Sequence, residues 1–237
     1  MHQKILSLLT YFRPREYVLW LSSMAAIVLS YALTSGGGDA LSLAASLVGV
    51  TSLVFAARGN PAGPALMVVF SILYGVISYS FRYFGEMATY LGMTLPMSVC
   101  AVVTWMKHRY TGAEVRVNVL SRREYGVMWL LTALVTFAFY WILRALGTAN
   151  LIPSTISVTT SFLAVYLTLR RSPLYALGYA ANDVVLVALW VMAAMTDRSY
   201  LSMVVCFAVF LANDLYGFFS WRAMGKRQSA EQGQMQN

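Results

Sequence analysis

The sequence predicts an all-α membrane protein with eight transmembrane helices, and three observations predict it. The 237-residue chain is 59% hydrophobic and only 11% charged, against about 25% charged residues in a soluble domain. Eight apolar stretches are each long enough to cross a hydrocarbon core of about 30 Å. Of the 17 Lys and Arg, all but Arg82, Arg144 and Arg198 fall on one side of the membrane that those stretches define.

The spans lie near 17–35, 40–57, 63–81, 85–106, 125–147, 151–169, 173–196 and 200–221. Helices are the fitting element, because unpaired backbone cannot face lipid and alternating ten-residue strands are not seen. Residues 1–16 are polar and basic, with Lys4, Arg13 and Arg15. The first span is long for a leader peptide and carries Trp20, so it reads as retained; Gly36-Gly37-Gly38-Asp39 follows it. The loop after span two holds Arg58. The loop after span four, residues 107–123, is the longest internal polar segment and holds Lys107, Arg109, Arg116, Arg122 and Arg123. Arg170 and Arg171 follow span six, and Arg222, Lys226 and Arg227 begin the tail. Lys- and Arg-rich loops stay in the cytoplasm, so both termini are expected there. The net charge of +8 then reads as topology and contact with anionic headgroups. Nucleic-acid binding is not expected, since no basic stripe interleaves with aromatics.

Trp20, Trp105 and Trp221 lie near span ends and read as interfacial anchors. Pro96 removes a backbone hydrogen bond within span four and permits a bend. Cys100 and Cys206 lie inside apolar spans, so no disulfide framework is implied. His2 and His108 are far apart, and metal-ligand spacing is absent. No phosphate-binding glycine loop, paired-His motif or nucleophile elbow is present. A non-enzyme without cofactor is expected.

A shift of 116 residues superimposes Met87 on Met203 and Trp105 on Trp221. The expected organisation is two parallel three-helix units, 40–106 and 151–222. Residues 107–150 supply a cytoplasmic loop and linker helix, 1–39 an N-terminus with one extra helix, and 223–237 a cytoplasmic tail. Transporters built this way bind substrate near mid-membrane at the repeat interface.

The informative residues are polar ones at membrane depth, where a charge costs about 2.5–3.5 kcal/mol and therefore faces the bundle interior or a cavity. Span seven carries Asn182-Asp183 and span eight Asn213-Asp214. Adjacent helix positions point about 100° apart, so one member of a pair is free to bind ligand while the other braces a neighbour. Tyr179 precedes Asn182 by three residues, Tyr216 follows Asn213 by three, and Trp190 lies two turns beyond Asp183. Residues three and four apart are helix neighbours. Each half-site therefore offers an amide beside a ring. Rings stack on flat heterocycles, most strongly on cationic ones, and amides both donate to and accept from hydroxyls. Span four adds Glu86 with Tyr90 at i+4; Glu86 falls near the external end of the span, where a solvated carboxylate is the alternative to a ligand or gating role. No Lys or Arg falls in mid-span, so a neutral or cationic, flat, hydroxyl-bearing solute fits better than an anion. The competing reading is that these groups are inter-helix glue in a membrane receptor or scaffold; an intramembrane enzyme is a third.

The runs AANDVVLVALW in span seven, FLANDLYGFFSW in span eight and SILYGVISYSFRYFGEMATYLGMTLPM across spans three and four resemble the PnuC family. The resemblance covers roughly residues 40–222. It implies a bacterial inner-membrane transporter of vitamin-type solutes, chiefly nicotinamide riboside. It also implies a 3+1+3 core related to the SWEET sugar transporters, a homotrimer, and facilitated diffusion with substrate trapped by a cytoplasmic kinase. The motif Asn residues fall on Asn182 and Asn213, with the following aromatic on Tyr216, and these would contact the nucleoside. Many members carry Trp one turn before the span-seven Asn; here that position is Gly178, with Tyr175 and Tyr179 nearby. Thiamine, riboflavin or a deoxynucleoside are the alternative cargoes.

Overall fold

A computed structural model describes residues 11–34, 40–80, 83–148 and 150–235. The expectations for His2, Lys4, Gly36 to Asp39 and Arg82 fall outside the described residues. Eight described helices are long and apolar enough to span a bilayer: α1 Pro14–Thr34, α2 Ala40–Ala57, α3 Ala62–Ser80, α4 Phe84–Lys107, α5 Arg122–Ala145, α6 Leu151–Leu169, α7 Tyr175–Ala194 and α8 Leu201–Met235.

Six helices close a ring in the order α2, α3, α4, α6, α7, α8 and back to α2. Outside it, α1 lies against α2 and α8, and α5 against α6. Hydrophobicity all round a helix is the pattern of one surrounded by lipid or protein. Accordingly α1 and α5 bury only 17% of their spans, against 56% for α2. Two close approaches tighten the ring. A Cβ on Gly63 would sit 2.6 Å from the Ala56 backbone of α2, and one on Gly178 would sit 2.8 Å from the Ala164 backbone of α6.

The loops after α2, α4 and α6 meet at one end, together with the segment before α1. Arg58 donates to the Tyr11 carbonyl (2.8 Å), Val115 N–H to the Gly59 carbonyl (2.9 Å), and Asn118 N–H to the Arg171 carbonyl (3.0 Å). The 107–123 segment, expected as a plain loop, contains a small antiparallel hairpin, β1 Arg109–Thr111 and β2 Glu114–Val115. Its tight turn uses Gly112 at φ 58°. The tail is helical, since α8 runs on unbroken to Met235. The 3%-exposed Gln228 explains the docking. Its amide donates to Glu114 Oε1 (2.8 Å) and the Val115 carbonyl (3.0 Å), and accepts from Val117 N–H (2.9 Å). Arg227 pairs with Glu114, and Tyr110 hydrogen-bonds Glu231. α5 begins on a capping box, Ser121 with Glu124.

Trp105 and Trp221 correct the expectation of interfacial anchors: both are fully buried. Trp105 Nε1 donates to the Thr168 carbonyl at the end of α6 (2.8 Å), and Trp221 Nε1 to the Ala56 carbonyl at the end of α2 (2.8 Å). A helix C-terminus leaves carbonyls without intrahelical partners, and an indole N–H satisfies one while its rings fill the ring's interior. Trp20 likewise packs inward, donating to Thr51 Oγ1 (3.1 Å). Near Pro96, α4 contains a π-helical turn over Tyr90–Thr94, where Leu95 N–H reaches the Tyr90 carbonyl. Pro96 offers no N–H to the carbonyl one turn back, and the widened turn absorbs the mismatch.

Candidate transport site

The core of the ring is layered. Toward the end where α4 and α8 begin, Trp190 of α7 donates to the Tyr74 hydroxyl of α3 (3.1 Å). Tyr74 meets Tyr90 edge-on at 4.5 Å and Phe207 edge-on at 5.6 Å. Toward the basic end, Trp221 lies 4.9 Å from Tyr175 and 5.2 Å from Trp105. At 1.5 Å rise per residue, Tyr175 and Trp190 are about 22 Å apart along α7, with Asp183 about 12 Å from Tyr175. A polar layer therefore lies between two aromatic ones.

That layer collects Asn182, Asp183 and Asp214, with Tyr179 beside them, of the residues singled out from sequence. Asn182, 2% exposed, turns its carboxamide oxygen to α6, where it accepts from Ser157 (3.2 Å) and Thr160 (3.0 Å). Ser157 also lies near Glu86 of α4, but its hydroxyl donates to Asn182 and leaves both Glu86 oxygens without a partner. The carboxyl groups of Asp183 and Asp214 face each other within hydrogen-bonding reach. Two carboxyls in contact need a proton or a cation between them. Tyr175 and Tyr179 of α7 flank Asp214. Several acceptors here have no partner within the protein: both oxygens of Glu86, and Oδ2 of Asp183. Buried polar groups are ordinarily paired, so the unpaired Asp183 oxygen between the two aromatic layers, and those of Glu86 about 6 Å beyond Tyr90 toward the start of α4, mark places for a donor-rich or cationic molecule.

Asn213 and Tyr216 lie elsewhere. Asn213 donates to Ser23 of α1 (2.9 Å) and to its own helix at the Val209 carbonyl (2.8 Å). The Tyr216 hydroxyl donates to Glu16 of α1 (2.9 Å), a carboxylate that also accepts from Arg13 N–H (2.7 Å). On α8 it is Asp214 that faces the centre, while its two motif neighbours face the extra helix.

The family model described as nicotinamide mononucleotide transporter matches residues 39–223. The chain belongs to that family. It is 25% identical to the nicotinamide riboside transporter PnuC of Neisseria mucosa, over 81% of this chain and 75% of that one. It is 23% identical to the Haemophilus influenzae protein of the same name, over 91% and 93%. Its fold matches the crystal structure of the vitamin B3 transporter PnuC with a TM-score of 0.80, over 92% of this chain and 94% of that one at 22% identity. The expected family and the eight-helix membrane fold are thus borne out. The matched segment begins at the start of α2 and leaves α1 outside it.

Sequence reasoning missed Ser157, Thr160 and Tyr74. The signal was present for Ser157: α6 carries Ser154, Ser157, Ser161 and Thr168, all buried, a small polar stripe at helical spacing, with Thr160 beside it. Tyr74 announces itself only through its partner Trp190, 116 residues on.

Proposed function

We propose that the chain is a uniporter that carries nicotinamide riboside inward by facilitated diffusion, with the basic end and both termini in the cytoplasm of a bacterial inner membrane. The observation that carries this reading is the set of buried, unpaired carboxylate oxygens on Asp183, between the aromatic layers beside the Asn182 amide, and on Glu86, one turn from Tyr90 toward the start of α4. A pyridinium ring supplies the positive charge and the flat face, and ribose supplies hydroxyl donors. The names of the curated relatives support the same cargo.

The carboxyls also discriminate between riboside and mononucleotide. A phosphate in this layer would meet Asp183 and Asp214, and Glu86 on the way in from the end where α4 begins. No Lys or Arg of the described residues lies in mid-span to offset them. Phosphorylation in the cytoplasm would then trap the cargo by making it a poor ligand for the return path. Alternating exposure would come from two three-helix units, 40–106 and 151–222, rocking about the Tyr74–Trp190 contact. Two residue pairs separated by 116 positions favour that division. Tyr74 and Trp190 meet each other, and Trp105 and Trp221 each cap the first helix of the opposite unit. The homotrimer implied by resemblance is part of this proposal, and native mass spectrometry of the detergent-solubilised protein tests it.

The deciding experiment is calorimetric titration of purified protein with nicotinamide riboside, nicotinamide mononucleotide, thiamine, riboflavin and deoxynucleosides, paired with uptake into proteoliposomes. Saturable binding and uptake of the riboside, with the mononucleotide weaker, is expected. Preference for thiamine or another nucleoside would move the cargo within the same site. Binding of none would end the vitamin reading. Uptake that is insensitive to imposed pH and sodium gradients is expected of a uniporter.

A further inference from the structure

At the basic end, a cavity of about 660 Å³ opens between α8, the 117–120 segment and the loop that leads into α7. Its cations are Arg222 and Lys226, and no Asp or Glu lines it. Among the described residues neither cation makes an ion pair. The acids nearby are engaged elsewhere, Glu124 with Arg170 and Glu114 with Arg227. The Arg222 guanidinium rests 5.5 Å above the Phe218 ring, and Ser229 and Gln232 offer further polar groups one turn along. The rest of the lining is apolar, chiefly Val119, Leu120, Leu174 and Phe218. Val119 is 83% exposed, an arrangement that suits contact with lipid rather than with water.

The position along the membrane normal agrees. Arg222 is the first cation after the apolar run of α8, Leu174 immediately precedes α7, and Arg122 opens α5. The cavity thus straddles the level where headgroups give way to acyl chains. A second cavity of about 260 Å³ on the other side of α8 holds Arg13, Arg15, Arg58 and Arg227, but Glu16 and Glu114 line it too. Charge therefore singles out the first.

We propose that this cavity is a binding site for one anionic phospholipid of the cytoplasmic leaflet. Its phosphate lies on Arg222 and Lys226, and one acyl chain follows Val119, Leu120 and Leu174 toward Phe218. The lipid wedges the α8 extension against the start of α7, two segments that must separate or slide if the ring opens at this end. Cations at a membrane surface each attract acidic lipid, and two together are expected to favour phosphatidylglycerol over phosphatidylcholine by roughly 30-fold.

The test is lipid retention by native mass spectrometry after extraction from nanodiscs of equal phosphatidylglycerol and phosphatidylcholine. Wild type should hold phosphatidylglycerol selectively, and Arg222→Gln with Lys226→Gln should lose that selectivity. Arg222→Lys with Lys226→Arg should keep it and serves as the folded reference. Gly225→Leu keeps both cations but fills the cavity; a Cβ there meets only Val117, at 3.4 Å, so the helix tolerates it. This variant should also release the lipid. Lys107→Gln with Arg109→Gln, at the same end but off the cavity, should behave as wild type. Retention by Gly225→Leu equal to wild type would reduce the effect to surface charge and overturn the proposal. Displacement by glycerol phosphate as readily as by phosphatidylglycerol would also overturn it, assigning the cavity to a soluble anion.

Discussion

Glu86→Gln separates binding from stability, because the two responses have opposite signs. Glu86 is 4% exposed and neither carboxylate oxygen has a partner within the protein. A buried group left unsatisfied costs about 1–3 kcal/mol, more when charged. The amide has nearly the same shape and no charge, so the ligand-free protein should gain about that amount. For a chain of this size the midpoint should rise by roughly 2–4 °C per kcal/mol. Ligand binding should weaken. A pyridinium charge about 6 Å from the carboxylate is worth about 3 kcal/mol at an effective dielectric of about 20, which is roughly 100-fold in affinity. Thermal unfolding without ligand and calorimetry with nicotinamide riboside read the two quantities on one preparation. Raised stability with unchanged affinity would remove Glu86 from the site. Lowered stability would show that the carboxylate braces α4 against Ser157 of α6, and the reasoning from unpaired acceptors would fail.

Three further outcomes follow from the same geometry. Asn182→Ala strips the acceptor from Ser157 and Thr160 and should weaken riboside binding by about 1–3 kcal/mol, whereas Asn213→Ala should lower the melting temperature through the lost Ser23 contact and leave the calorimetric affinity within twofold. Gly178→Leu forces a side chain into the Ala164 backbone and should cost about 1–3 kcal/mol in a denaturation assay; a neutral result would mean that α6 and α7 part easily. Trp105→Phe and Trp221→Phe each delete one indole bond to a helix-terminal carbonyl, so their thermal shifts should be of similar size, about 1 kcal/mol each.

The membrane fold was legible because it rests on composition and length, which tolerate local irregularity. The helical tail was not, because residues 222–235 have no sustained apolar face. They are held by side chains that read as ordinary surface in a sequence: the buried Gln228 amide, with Arg227 on Glu114 and Glu231 on Tyr110 beside it. The two tryptophans near span ends misled for a related reason. A residue's position along a helix says how deep it lies, but not whether it faces lipid or protein, and the bonds to Thr168 and Ala56 depend on the ring closure. The candidate site was legible in part. Polar residues in mid-span can be found by inspection, and the 100° offset between neighbours requires each Asn-Asp pair to divide its duties. Which member turns inward is decided by the neighbouring helix. On α7 both members find polar surroundings, the amide on α6 and the carboxyl on α8. On α8 the amide finds Ser23 instead.

That last contact gives α1 a role that its position outside the ring conceals. α1 presents two polar anchors to the outer face of α8, Ser23 for Asn213 and Glu16 for Tyr216. Both α8 residues are within two positions of Asp214, whose carboxyl faces Asp183 at the centre. A rotation of α8 large enough to separate the two carboxyls must also carry Asn213 and Tyr216 away from α1. Glu16 is nearly fully buried and also meets Arg58 of the α2–α3 loop, so breaking this contact leaves a buried carboxylate short of partners, a costly state. The inner and outer faces of α8 are therefore linked by rigid-helix geometry: whatever draws the aspartates apart must first be strong enough to unlatch the first helix or to take it along.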